Sequence, residues 1–202
     1  GEPYKIENLG VRIFDKAEVP KTGASLAAPR REARSSRRVV RRRRHRKERI
    51  KYLIEQEGIM TQTEMMQLFQ NSSFEKSVYE IRVEALDRLL TREEAVRLLI
   101  HFAQRRGYKS NSKAEEAKDN ENGVIKQAIS QNKQVMKAHG YRTFGEMLLM
   151  DDRFYYTQPD GARIFIPHNK ASDYKVTAER GMLADELHMI FAAQRSLGSL
   201  WF

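Results

Sequence analysis

The arginines between Arg30 and Lys51 are the residues whose type and spacing most clearly suit chemistry with a partner molecule. This stretch, RREARSSRRVVRRRRHRKERIK, holds eleven arginines and two lysines against two glutamates, a local charge of +11. The whole chain carries +10, so the remaining residues are close to neutral together. A guanidinium group is a planar donor that binds phosphate oxygens in pairs and stacks on bases. The composition therefore predicts a polyanionic partner.

A second basic element follows at Arg105-Arg106-Gly107-Tyr108-Lys109-Ser110-Asn111, with Lys113 just beyond it. Cations at the end of a helix also offset the helix dipole, which is the ordinary explanation of such a pair. Here the donors continue into a loop, and a tyrosine is available to stack on a base or sugar. We therefore expect nucleic-acid contacts. The predicted RNA-binding residues are Arg30, Arg31, Arg34, Arg37, Arg38, Arg41, Arg42, Arg43, Arg44, Arg46, Lys47, Arg49, Arg105, Arg106, Tyr108, Lys109, Ser110, Asn111 and Lys113.

No group of residues has the pattern of a catalytic or metal site. Two-metal nuclease chemistry needs several carboxylates or histidines around ions about 4 Å apart. The five histidines are scattered, and Asp151-Asp152 reads as an acidic pair in a loop. No P-loop, nucleophile elbow or HExxH motif occurs. We expect no catalytic residue, no bound metal and no cofactor in this chain. The histidines are His45, His101, His139, His168 and His188.

A long helix is the element that must position the first arginines. Glycine and proline are absent from Arg30 to Glu57, Pro29 precedes this stretch, and Gly58 follows it. The pattern predicts a helix of about 28 residues, or about 42 Å. Like charges three and four residues apart oppose its folding, and an RNA alongside would remove that repulsion. A disordered basic tail or a localisation signal is the alternative interpretation.

The rest of the chain predicts a mainly α fold with little β structure. A short strand is expected at Val11–Phe14 and a polar, mobile segment at 111–123. A β-hairpin is expected at Tyr155–Ile166, turning at Pro159-Asp160-Gly161 and packing its own aromatic residues. We expect Gln194-Arg195 to be a solvated helix end, and His101 and His188 to be packing or surface residues. The other predicted helices are Gln62–Phe69, Glu75–Leu90, Thr91–Arg106, Val124–Ala138, Thr143–Met150 and Thr177–Ser196.

Composition limits the cellular setting. The chain has no cysteine, so disulfides and thiolate metal sites are excluded and a reducing compartment is favoured. No apolar run approaches 18 residues and no signal peptide opens the sequence. We expect a soluble protein of a reducing compartment such as the cytoplasm, with no membrane partner.

Three stretches, taken in order, resemble a known family. They are LGVRIFDKAEVPKTGASLAAPRREARSSRRVVRRRRHRKERIKYL (9–53), VYEIRVEALDRLLTREEAVRLLIHFAQRRGYKSNSK (78–113) and SDYKVTAERGMLADELHMIFAAQRSLGS (172–199). Together they are similar to the type II CRISPR effector nucleases, the RNA-guided DNA endonucleases of antiviral defence, and above all to the compact subtype C members. The likeness covers nearly the whole chain.

The resemblance implies a domain layout and partners. Residues 1–24 would be the tail of the first RuvC segment, 25–57 an arginine-rich bridge helix, and 58–202 the first part of a helical recognition lobe. Guide RNA and the target DNA strand of the heteroduplex would be the partners, with base pairing reading the sequence. The catalytic RuvC and HNH motifs, and the magnesium that the whole nuclease needs, would lie elsewhere in an intact protein, of which this chain would be an excised piece.

Two other interpretations remain open. A generic basic nucleic-acid protein would explain the arginines but needs neither the 78–113 stretch nor AEVPKTG. An acidic anti-CRISPR protein could also use the arginine helix as its target surface by imitating RNA.

Overall fold

The computed structural model describes residues 10–11, 17–19, 21–70, 74–109, 121–169 and 173–202, with side chains omitted at 121–122. The chain divides into two compact units, Gly1–Arg44 and His45–Phe202. Nothing in the structure tests the domain boundaries predicted after residues 24 and 57, which stay predictions. The predicted strand Val11–Phe14 lies outside the described residues except for Val11, which belongs to no strand.

Within these ranges the fold is mainly α, as predicted. None of the described helices is long and apolar enough to span a membrane. The described residues form seven helices: α1 Ala28–Gln56, α2 Gln62–Gln70, α3 Val78–Glu84, α4 Arg92–Gln104, α5 Glu121–His139, α6 Phe144–Met150 and α7 Arg180–Ser196. A 3₁₀ turn, Asp152–Phe154, precedes a two-stranded sheet of β1 Tyr155–Thr157 and β2 Arg163–Phe165.

The first unit contains a small turn followed by the beginning of α1. Glu18 and Ser25 form an isolated antiparallel bridge, and the Gly23 amide donates to Val19 O. Helix α1 then starts at Ala28 with Pro29 in its first turn, where a missing N–H costs no helical hydrogen bond. The helix predicted for Arg30–Glu57 is confirmed with shifts of one or two residues at its ends.

The second unit has two apolar clusters on opposite sides of α4. On one side, Val96 and Ile100 join the end of α1 (Ile54) and the start of α2. On the other side, Leu98 and Phe102 join α3, α6 and α7. A helix that is apolar on both sides is a central core element. Helix α4 therefore lies between the two apolar clusters of the second unit.

The predicted hairpin is confirmed. Strands β1 and β2 pair antiparallel, with Tyr155 opposite Phe165. The loop closes through a hydrogen bond from the Gln158 amide to Ala162 O, and Gly161 has φ +85°. The rings of Tyr155 and Phe165 lie 5.3 Å apart, and Phe154 is buried. The hairpin residues Tyr155 and Phe165 therefore pack against each other, as predicted, although Tyr156 remains exposed.

The helix predicted over Glu75–Leu90 is wrong at both ends. Helix α3 starts after Ser77, whose side chain accepts from the Glu80 amide in a capping box, and ends at Glu84. The segment after it turns because Gln194 binds its backbone: the carboxamide donates to Ala85 O and Arg88 O and accepts from the Leu90 amide. These hydrogen bonds replace those that a longer helix would make.

Three further predictions need correction. Gln194 is fully buried, so only Arg195 fits the solvated helix end that we expected for this pair. The last helix begins at Arg180 rather than Thr177, because residues 178–180 pair with Tyr108 instead. Residues 121–123, assigned to a polar loop, form the first turn of α5, while 111–120 lie outside the described residues.

Candidate nucleic-acid interface

The arginines of the first unit lie on an open helical surface. Nine of them occur between Arg30 and Arg44, and all nine are exposed. No hydrogen bond or ion pair joins their guanidinium groups to any described residue. Glu32 is the single acidic residue in this part of α1. An uncompensated row of guanidinium groups is what a phosphate backbone would neutralise.

The arginine-rich segment continues in the second unit, where α1 becomes anchored. Arg46 Nε donates to Ala103 O in the last turn of α4, at 3.0 Å. Ile54, 1% exposed, enters the apolar cluster about two turns later. Lys47 is half-buried and Arg49 is exposed, and neither has a side-chain partner among the described residues. At least one N–H of Arg46 is therefore committed to the protein itself.

The basic loop 105–109 is fixed through its backbone to the start of α7. The Tyr108 amide donates to Ala178 O, and the Arg180 amide donates to Tyr108 O, both at 2.8 Å. Gly107 makes this close approach possible: it has φ +78°, and a Cβ there would lie 3.0 Å from Ala178 O and from the Arg180 Cα. The loop therefore has one defined backbone path.

The side chain of Arg105 binds a small cluster formed by Tyr79 and Pro167, just after strand β2 of the hairpin. Its Nη1 donates to the Tyr79 hydroxyl at 2.9 Å and to Pro167 O at 3.2 Å. The same hydroxyl donates to Pro167 O at 3.2 Å. Burial raises the pKa of Tyr79, although the charges of Arg105 and Arg82 oppose that shift. The hydroxyl thus stays protonated and available for both hydrogen bonds.

The remaining predicted residues of this element differ in what the structure shows. Arg106 and Lys109 are exposed, with no side-chain partner among the described residues. Tyr108 is half-buried. Ser110, Asn111 and Lys113 lie outside the described residues. The structure brings Arg106 and Lys109 onto one short loop beside the amino end of α7.

His101 is held neutral beside this cluster. Burial, together with the nearby charges of Arg82 and Arg105, lowers its pKa to about 3. Its ring meets the Tyr79 ring edge-on, with the ring centres 5.1 Å apart. Its Nε2 has no hydrogen-bond partner among the described residues. This confirms the prediction that His101 is a packing residue.

The acidic residues of the loop after α6 are engaged locally. Asp151 accepts from the amide and side chain of Arg153, and Asp152 pairs with Arg163. Although burial raises the pKa of Asp151, the hydrogen bonds and charge of Arg153 hold it below its ordinary value. Among the described residues, no three His, Asp or Glu side chains come together in a group that could hold a metal ion.

Sequence reasoning missed the residues that support the basic loop. Tyr79 and Arg105 are 26 positions apart, and Tyr79 and Pro167 are 88 apart. The buried pair Arg82–Glu186, which ties α3 to α7, spans 104 positions. No local pattern marks such long-range contacts. An arginine inside the short apolar helix VYEIRVE was the available hint, because a buried guanidinium needs a partner.

The fold and the site define a mainly α-helical chain in which a long, exposed arginine helix leads into a helical domain. No protein-family model matches it. It is 36% identical over 204 residues to the CRISPR-associated endonuclease Cas9 of Campylobacter jejuni, covering 98% of this chain and 20% of the relative. The chain is homologous to Cas9 and corresponds to part of a type II CRISPR endonuclease, which confirms the resemblance.

Solved structures agree with this assignment. Campylobacter jejuni Cas9 in complex with sgRNA and target DNA matches with a TM-score of 0.67 and 30% identity, over 92% of this chain and 24% of that one. The St1Cas9 assembly with sgRNA, tDNA20 and AcrIIA6 matches with a TM-score of 0.59 and 21% identity, over 86% of this chain and 19% of that one. The second likeness concerns the fold alone. The chain spans about one fifth to one quarter of the length of these relatives.

Proposed function

We propose that this chain binds guide RNA and the guide–target heteroduplex as the bridge helix and first recognition-lobe segment of an RNA-guided DNA endonuclease in bacterial antiviral defence. Homology to Campylobacter jejuni Cas9, which was solved with sgRNA and target DNA, supports this proposal. Such a nuclease would meet its guide and invading DNA in the bacterial cytoplasm.

The observation that carries the proposal is the row of nine exposed arginines between Arg30 and Arg44. Apolar burial cannot hold this part of α1 in place, since every residue from Ala28 to His45 is exposed. Like charges three and four residues apart repel one another in the free helix. A phosphate backbone removes that repulsion and releases its own counterions, which favours binding at low salt.

The test is the salt dependence of RNA binding. The quadruple variant R41A/R42A/R43A/R44A removes four adjacent guanidinium groups. If each contacts a phosphate, the log–log slope of the binding constant against salt falls in magnitude by about 3. Arg195→Ala is the matched control, because Arg195 is exposed at the end of α7 and is not one of the predicted RNA-binding residues. An unchanged slope in the quadruple variant would overturn the bridge-helix assignment.

We further propose that the chain does not cleave DNA by itself. The magnesium ions implied for the whole nuclease find no ligand group among the described residues, so no catalytic step is assigned here. Incubating the chain with guide RNA, target DNA and magnesium should leave the DNA intact. Cleavage that survives repurification would contradict this proposal.

An acidic inhibitor protein is a second partner that the exposed arginines could accept. An anti-CRISPR protein that imitates RNA would meet the same nine guanidinium groups, and AcrIIA6 is present in a solved St1Cas9 assembly. Competition with guide RNA tests whether the inhibitor binds this arginine surface. The inhibitor should displace guide RNA and should lose affinity for the R41A/R42A/R43A/R44A variant, whereas equal affinity for both proteins would exclude this surface. A generic basic RNA-binding protein would instead show no preference between guide and unrelated RNA.

A further inference from the structure

We propose that Arg105 is a positioning residue of the basic loop, acting through Tyr79, whereas Arg106 and Lys109 supply the loop's contacts to RNA. This inference rests on the proposed RNA-binding function. It divides a run of neighbouring cations, which the sequence presents as equivalent, into residues with different roles.

The hydrogen bonds of Arg105 support the division. Its Nη1 is shared between the Tyr79 hydroxyl and Pro167 O, 2.9 and 3.2 Å away. A guanidinium group has a fixed fork of donors, so committing Nη1 to two acceptors sets the direction of the whole group. The neighbouring Arg106 has no such partner among the described residues and is exposed.

Tyr79 is a rigid acceptor for this arginine. It is 8% exposed, so a bound RNA could not reach it without rearrangement. Its ring contacts His101 and Phe165 edge-on, each with ring centres 5.1 Å apart. The Arg82 guanidinium lies 5.6 Å from the centre of the same ring. These neighbours fix the position of the hydroxyl, and the hydroxyl in turn fixes Arg105.

The consequence for the loop follows from its short length. Arg105 directly follows α4, and its amide donates to His101 O. Three residues further on, the backbone of Tyr108 is hydrogen-bonded to Ala178 and Arg180. The loop is thus held at both ends, by a side chain at one and by backbone at the other. Arg106 lies between these two points, which presets its position before RNA arrives and lowers the ordering cost of binding.

The closing experiment uses Tyr79→Phe, which removes the acceptor without changing any charge. We expect RNA binding to weaken about three- to tenfold, the range for loss of one typical hydrogen bond, with an unchanged salt slope. Exchange of the Tyr108 amide should become faster in the free protein. Tyr155→Phe is the matched control, because its hydroxyl donates to Leu149 O and does not contact the loop.

Arg105→Ala and Arg106→Ala separate positioning from contact. Arg106→Ala should reduce the salt slope by about 0.7 to 0.9, the value for one phosphate contact. Arg105→Ala should weaken binding with little change of slope, and adding Tyr79→Phe to it should have no further effect. Wild-type affinity and amide exchange in Tyr79→Phe, or a slope change in Arg105→Ala equal to that of Arg106→Ala, would overturn the positioning role. Absence of RNA binding by the wild-type chain would overturn the proposed function as well, and the amide exchange would still report on the loop.

Discussion

Replacing Glu186 with glutamine should destabilise the second unit strongly. Its carboxylate accepts from Arg82 Nε and Nη2, both at 2.7 Å, and from the Gly145 amide at 3.0 Å. The two side chains are 0% and 3% exposed. Glutamine keeps the shape but leaves the guanidinium of Arg82 buried without its counter-charge. Breaking a buried pair in this way costs about 3–5 kcal/mol, which lowers the Tm by about 6–20 °C in a domain of this size.

The assay is thermal and urea unfolding of Glu186→Gln beside Lys133→Gln. The control breaks the Lys133–Glu179 pair, whose side chains are 53% and 45% exposed, and should cost less than about 1 kcal/mol. The double variant R82M/E186Q removes both charges and should recover part of the loss. Equal effects of Glu186→Gln and Lys133→Gln would refute the claim that this buried pair holds α3, α6 and α7 together.

Three further predictions concern stability. The pKa of His101 is about 3 in the folded chain against 6.5 for the free group; the unfolded state therefore binds the proton better, and stability should fall by about 2 kcal/mol between pH 7 and pH 5. His101→Phe should abolish that decrease in urea unfolding at the two pH values. Gln194→Leu should cost about 3 kcal/mol, because three backbone groups lose their partner, whereas Arg195→Ala should be near neutral. Gly107→Ala should lower the Tm more than Gly140→Ala, since both have positive φ but only Gly107 lacks space for a Cβ; equal losses would contradict this.

Local signals in the sequence predicted much of the fold. Helix α4 begins where Thr91 and Glu94 form a capping box, three residues apart, and the structure contains both hydrogen bonds. The hairpin turn and the long α1 were likewise marked by glycine and proline. What failed was the extent of α3. Its end depends on Gln194, which binds Ala85 from 109 positions away, and no local pattern reports that contact.

The charge of the candidate site could be predicted from the sequence, but not which of its arginines bind groups of the protein itself. Composition identified the arginines as a polyanion-binding element, because eleven of them lie in one stretch and guanidinium groups suit phosphate recognition. Composition could not show that Arg46 donates to Ala103 O or that Arg105 donates to Tyr79 and Pro167 O. Both depend on which elements the fold brings beside α4, and that is decided by apolar packing between residues that are distant in the sequence.

The most direct test of the central claim compares cognate guide RNA with a scrambled RNA of equal length over a range of salt concentrations. If the chain recognises the shape of the guide as well as its charge, the cognate RNA binds more tightly and keeps that advantage as salt rises. Equal affinity for both RNAs, lost together as salt rises, would contradict guide recognition by this chain and leave only the charge of the arginine helix.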